Sequence, residues 1–154
     1  MNQLLTEMDG LETRDCFILG ATNRPDILDP AIVRPGRFGK ILYVGFPTPD
    51  DRYEILKTLT RNGTNPPVES YVDFHELAND ARMEGFTGAD LANVVHEAQT
   101  AALEDLIEGR IQNDSNFSLT KEHFIKALNK VEPSVSREDR AHYIRMIQTR
   151  NGTR

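Results

Sequence analysis

Two arginines, Arg34 and Arg37, flank a Pro-Gly turn in the stretch DPAIVRPGRFGK, residues 29–40. A guanidinium is permanently charged, and its fork of N–H donors matches phosphate oxygens. A Pro-Gly turn that ends a short helix is a rigid, exposed mount for such a group. These residues alone leave two interpretations open: solvated arginines beside a turn, or arginine fingers that reach a phosphate.

Asn23 closely follows a short apolar run, CFILG at residues 16–20, which predicts a buried strand. In parallel α/β sheets, ligands bind beyond the carboxyl ends of the strands. An amide at that place can orient a water or touch a phosphate, but asparagine also commonly closes a turn. The position of Asn23 therefore allows both a functional and a purely structural role.

Several other kinds of chemistry find no support in the sequence. It contains no G-x-x-x-x-G-K-[ST] phosphate loop, and no apolar strand ends in the paired acids that would hold Mg²⁺. The single cysteine, Cys16, leads a predicted strand and is expected to be a buried structural thiol. No metal site is expected, because the histidines lack the spacing of metal ligands: His75, His96, His123 and His142.

Composition and charge narrow the class of protein. The chain is 38% hydrophobic and 27% charged, which is typical of a soluble globular protein, and one cysteine fits a reducing compartment. A net charge of −6 argues against bulk electrostatic binding to nucleic acid. The sequence has no apolar run of the roughly 18 residues that a membrane span needs.

The elements that must position these residues change in type along the chain. Residues 1–46 are predicted to run helix, strand, short helix, strand, with the second strand over residues 40–46. This is an α/β order, but two strands make no sheet, so residues 1–48 are interpreted as the C-terminal part of a larger subdomain. Residues 49–154 are predicted to be all-α, with Thr48 capping one helix and a capping box from Thr87 to Asp90 opening another.

Three stretches, NQLLTEMDGL, ATNRPDILDPAIVRPGRF and FTGADL, resemble in order and spacing the AAA ATPases of the valosin-containing class. The resemblance covers nearly the whole chain. It implies the C-terminal part of an AAA+ P-loop nucleotide-binding subdomain, followed by an all-α lid. In such a module the phosphate loop and the Mg²⁺-binding acids would lie upstream, outside this chain, so ATP and Mg²⁺ are the implied cofactors.

The resemblance also assigns roles to the polar residues. Asn23 matches sensor 1, between the γ-phosphate and the attacking water. Arg34 and Arg37 match the two arginine fingers, which act in trans on the nucleotide of the neighbouring subunit. Three residues match the intersubunit signalling motif: Asp9, Gly10 and Leu11.

In the predicted lid, Gly88 and Ala89 match the sensor 2 stretch, where the backbone approaches the adenine. Ile55 and Leu59 match the adenine pocket, although relatives often carry a polar residue at the second position. The sequence departs from the pattern at Gly39, where relatives often have an acid, so the local negative charge near the fingers is reduced.

The lid stretch FPTPDDRYEILKTLTRNGTNPP is similar to the second AAA module of the nuclear valosin-containing protein-like ATPases. This implies a homo-hexamer that remodels protein or pre-ribosomal particles in the nucleus or nucleolus. Two alternatives stay open: a cytosolic valosin-type unfoldase, and a non-catalytic, lid-bearing interaction module if the protein is expressed at this length. The chain alone is expected to be inactive as an ATPase.

Overall fold

A computed structural model describes residues 6, 17–34, 36–110 and 117–151, without the side chains of residues 26 and 146–151. The chain divides into two units, Met1–Val44 and Gly45–Arg154. The first unit carries Asn23, Arg34 and Arg37, and the second carries the predicted lid. The predicted N-terminal helix and Cys16 lie outside the described residues, except for Thr6, which is helical.

Neither predicted strand forms over its described residues. Residues 17–20 and 40–46 have irregular backbone, and Phe17 and Val44 expose 91% and 89% of their surface. A strand is held by hydrogen bonds to a neighbouring strand, and no described residue pairs with either segment. The predictions of a buried strand at residues 16–20 and of a second strand at residues 40–46 are therefore wrong over the described residues of these segments.

The short helix predicted after Asp29 does not form either. A 3₁₀ helix spans Pro25–Ile27, and residues 30–33 form a hydrogen-bonded turn. Asp29 closes this turn, because its Oδ1 accepts from the Ala31 N–H at 2.8 Å. The interval between Asp29 and the Pro-Gly pair is too short for a run of i→i−4 hydrogen bonds.

The second unit is mainly helical over its described residues. Its α-helices are α1 Pro49–Leu59, α2 Phe74–Ala78, α3 Gly88–Ile107, α4 Lys121–Lys130 and α5 Arg137–Asn151, with a 3₁₀ helix at Ala81–Met83. Capping boxes begin α1 at Thr48, α3 at Thr87 and α4 at Thr120. The cap at Thr48 and the capping box at Thr87 confirm the sequence predictions. None of the described helices is both long and apolar enough to cross a bilayer.

A single apolar core lies among helices α1 to α4. Its fully buried side chains include Leu56 of α1, Leu91 of α3 and Phe124 of α4. Phe74 packs edge-to-face on Phe124, with ring centroids 6.3 Å apart. The core gives helices α1 and α3 fixed positions, and these are the helices that carry the lid residues singled out by the sequence.

Candidate functional site

The turn that carries the two arginines is closed by its own backbone. The Phe38 N–H donates to the Ile32 carbonyl at 3.1 Å, and the Arg37 N–H donates to the Arg34 carbonyl at 3.1 Å. Gly36 has φ +88, a conformation that favours glycine. Ile32, only 6% exposed, anchors the turn. The sequence-predicted mount is therefore a compact loop rather than the end of a helix.

The two arginines differ in how they are held. The half-buried Arg37 donates from Nη1 to the Ala31 carbonyl at 2.9 Å. Arg34 is exposed, and its guanidinium makes no hydrogen bond or ion pair to another described residue. The Arg34 guanidinium is thus exposed to solvent, whereas Arg37 braces the loop.

Asn23 is exposed in a bend of the same unit. Next to it, the Thr22 Oγ1 accepts from the Arg24 N–H at 3.0 Å, which closes the turn without using the Asn23 amide. The Asn23 side chain is therefore exposed to solvent and does not cap its own turn. The geometry is compatible with the functional interpretation of Asn23.

Helix α1 presents the two apolar residues that match the adenine pocket. Ile55 and Leu59 are both half-buried and pack on the lid core. Each keeps part of its side chain accessible, which is what an apolar contact for a flat base requires. Ile55 and Leu59 therefore form a partly exposed apolar surface on helix α1.

The residues that match sensor 2 open helix α3. Gly88 and Ala89 are its first two residues, and both are exposed. A Cβ placed on Gly88 would meet no atom within 4 Å, so there is room for a ligand to approach the backbone. Asp9, Gly10 and Leu11, the third group singled out by the sequence, lie outside the described residues.

Asp90 has a larger role than the cap that the sequence predicts. It is 5% exposed, and its Oδ2 accepts from the Thr87 N–H at 2.7 Å and from the Thr87 hydroxyl at 2.8 Å. It also accepts from Ser134, 44 residues further along the chain. Burial raises the pKa of Asp90, but the hydrogen bonds from Thr87 and Ser134 outweigh it and hold the pKa below its ordinary value.

A second buried carboxylate, Asp105, joins α3 to α4. It accepts from Lys126 Nζ at 2.8 Å and from Arg110 Nη1 at 2.7 Å. The hydrogen bond from Lys126 lowers the pKa of Asp105 most, against the opposing effect of burial. His123, on α4, places Nε2 3.3 Å from the same carboxylate while its Nδ1 accepts from the Thr120 N–H. No group of three or more potential metal ligands occurs in the described part of the chain.

The lowered pKa values of Asp90 and Asp105 make the free energy of unfolding depend on pH. The pKa values of Asp90 and Asp105 are lowered by folding, so the unfolded chain binds more protons in acid. Their contribution is full above the unfolded pKa of about 3.9 and is lost as pH falls through the lower folded values. We expect the melting temperature to be flat from about pH 7 to pH 5 and to fall below about pH 4.

The variant Asp90→Asn keeps the shape of the side chain but not its charge. We expect it to melt at a lower temperature at pH 7 and to lose less stability between pH 5 and pH 3 than the wild type. Thermal melts followed by circular dichroism across this range measure both effects. A variant that loses as much stability in acid as the wild type would show that Asp90 does not carry this dependence.

Two protein-family models match this chain, one over its N-terminal part and one within the second unit. Residues 1–46 match the model of the ATPase family associated with various cellular activities (AAA), and residues 72–119 match the AAA+ lid domain. Three relatives are similar: the nuclear valosin-containing protein-like of Mus musculus (51% identity over 93% of this chain), protein mac-1 of Caenorhabditis elegans (48% over 95%) and the ribosome biogenesis ATPase RIX7 of Saccharomyces cerevisiae (39% over 95%). The chain spans 17%, 18% and 20% of their respective lengths.

Proposed function

The chain belongs to the AAA family of ATPases, and from this premise we propose that it supplies trans-acting arginines to an ATP-hydrolysing, protein-remodelling ring. The observation that carries the proposal is the exposed Arg34 guanidinium on a braced turn, with no described partner. A permanently charged fork in that setting is suited to the γ-phosphate of a nucleotide held by the neighbouring subunit.

The other residues take supporting roles in this proposal. ATP supplies the phosphoryl group, with Mg²⁺ held by residues outside this chain. Asn23 holds the attacking water beside the γ-phosphate. Ile55 and Leu59 contact one part of the adenine, and the backbone of Gly88 and Ala89 contacts another. The segment Asp9, Gly10 and Leu11 signals to the adjacent protomer.

We further propose a homo-hexamer that acts in the nucleus on pre-ribosomal particles. The names of two relatives support the nuclear location and the ribosomal task, since one is described as nuclear and the other as a ribosome biogenesis ATPase. The alternative is a cytosolic valosin-type unfoldase; the chain is also 39% identical to the cell division cycle protein 48 homolog of Archaeoglobus fulgidus. Localisation of the full-length protein separates the two, because nucleolar accumulation supports the first and a purely cytosolic distribution the second.

A hybrid subunit tests the enzymatic proposal. In it, this chain replaces the region of the Mus musculus relative that it matches over 146 residues. We expect the hybrid subunit to hydrolyse ATP, whereas the chain alone is silent. A hybrid subunit that folds and assembles but hydrolyses no ATP would contradict the proposal and would favour the non-catalytic interaction module.

The hybrid subunit also tests the role of Asn23. We expect Asn23→Ala to lower kcat about 100-fold, the scale observed when one positioned polar group is removed from a transition state. KM for ATP should change less than about threefold, because the amide contacts the water rather than the base. Steady-state kinetics give both values, and an unchanged kcat would remove Asn23 from the proposed mechanism.

A further inference from the structure

The Asp90 carboxylate ties together two segments that are distant in sequence. Its Oδ2 accepts from the Thr87 N–H and hydroxyl and also from the Ser134 hydroxyl, the last at 3.1 Å. Its Oδ1 accepts from the Ser134 N–H at 3.2 Å. Thr87 is the cap of α3, and Ser134 lies in the segment that leads into α5. One buried charge therefore fixes the start of one helix against the approach to another.

The first turn of α5 reinforces this link. Arg140 lies over the Phe46 ring, 5.2 Å from its centroid, and its Nη1 lies 3.6 Å from the Glu84 carboxylate. A Cβ on Gly85 would lie 2.9 Å from the Arg140 Nη1, so the arginine lies directly against this backbone. Glu84 and Gly85 lie three and two residues before Thr87, the cap of α3. Helix α5 and the segment that leads into it thus contact residues 84–90 through two separate side chains, Arg140 and Ser134.

Gly88 and Ala89 lie between the two residues that this network holds, Thr87 and Asp90. The Leu91 N–H donates to the Thr87 carbonyl at 3.0 Å, which leaves the intervening backbone little freedom of its own. We propose that Asp90 is a positioning residue that couples the docking of α5 to the backbone of Gly88 and Ala89. Because that backbone is the proposed adenine contact, this inference rests on the proposed function, and α5 then sets the affinity for nucleotide.

Amide hydrogen exchange on the full 154-residue chain tests the coupling. The variant Ser134→Ala removes one hydrogen bond to a buried carboxylate, so we expect exchange of the Thr87 and Asp90 amides to speed up about tenfold. The amides of Leu77 and Val131, which donate to Asp73 and Ala127, should change less than about twofold. Ser134→Thr keeps the hydroxyl and should restore the wild-type rates. Ser70→Ala, in an exposed turn, is the matched control.

Coupling between two sites is reciprocal, so a substitution at the cap of α3 should change amide exchange in and before α5. We expect Thr87→Val to speed exchange of the Ser134 and Arg140 amides by a similar factor. Unchanged rates at residues 87 and 90 in Ser134→Ala would overturn the inference. Equal acceleration of every measured amide would also overturn it, because it would indicate a general loss of stability.

The hybrid subunit tests the consequence for nucleotide. There, Ser134→Ala should raise KM for ATP about three- to tenfold with kcat within about twofold. An unchanged KM beside coupled exchange rates would overturn the link to nucleotide affinity. If the hybrid subunit hydrolyses no ATP at all, the proposed function fails, while the exchange rates still decide whether Asp90 couples α5 to α3.

Discussion

Replacing Arg34 with alanine is expected to lower kcat of the hybrid subunit about 1,000-fold. Arginine fingers supplied in trans contribute about 10³ to 10⁵ in rate to GTPases, and the same physical situation is proposed here. The guanidinium is exposed on a turn that is closed by backbone hydrogen bonds, so removing it leaves its mount intact. Steady-state ATPase kinetics measure the loss.

Three matched variants show whether the effect belongs to the fork of Arg34 or to positive charge in general. Arg34→Lys keeps the charge but not the bidentate geometry, and it should remain at least about 100-fold impaired. Lys40→Ala removes an exposed cation from the same segment and should change kcat less than about twofold. Arg37→Ala should also be strongly impaired, because it loses both a proposed finger and the brace to Ala31. An Arg34→Ala subunit with unchanged kcat would remove Arg34 from the proposed mechanism.

Replacing Leu91 with alanine is expected to destabilise the second unit by about 3 kcal/mol, within the range for buried leucines. Leu91 is 0% exposed at the centre of the core, beside the cap of α3. Its loss leaves a cavity among helices α1 to α4 that the surrounding side chains fill only in part. For a unit of this size, the melting temperature should fall by about 10 °C.

Helix α3 offers a matched control for this change. Leu103 lies on the same helix but is 50% exposed, so Leu103→Ala should cost less than about 1 kcal/mol. Thermal melts of the full chain, followed by circular dichroism at 222 nm, compare the two variants directly. Equal losses of stability in the two variants would contradict the burial of Leu91 in the core.

The lid could be predicted from the sequence because its signals are local. Thr48 forms the predicted cap and Thr87 the predicted capping box, and the structure shows a capping box at Thr48 as well. The apolar spacing after Thr87 predicts a long helix, and α3 spans 20 residues. The predicted fold class is confirmed by the matches to the AAA and AAA+ lid models.

The first unit was harder to predict, because strands depend on partners that are distant in sequence. The runs at residues 16–20 and 40–46 have the composition of buried strands, but their described residues do not pair. The short interval after Asp29 has helical capping signals, but it is a turn that the Pro-Gly pair cuts short. The apolar runs have the composition of strands, but a strand needs a neighbouring strand to pair with. Asp29 is a typical helix cap, but a helix needs more residues than lie between Asp29 and the Pro-Gly pair.

Only part of the candidate site could be predicted from the sequence. Asn23, Arg34 and Arg37 stand out by residue type and position, and the structure leaves Asn23 and Arg34 exposed. The sequence did not distinguish the two arginines, because the bond from Arg37 to the Ala31 carbonyl is a feature of the folded turn. It also gave no sign that Ser134 meets Asp90, since the two residues are 44 positions apart and Ser134 carries no distinguishing pattern.

The central claim is that the arginines act on a nucleotide held by another subunit. It is tested most directly by mixing this chain with a full-length subunit of the Mus musculus relative whose counterpart arginines have been changed to alanine. We predict that neither component hydrolyses ATP alone, that the mixture does, and that Arg34→Ala in this chain abolishes the gain. A mixture that forms a complex by analytical ultracentrifugation and still hydrolyses no ATP would contradict the claim.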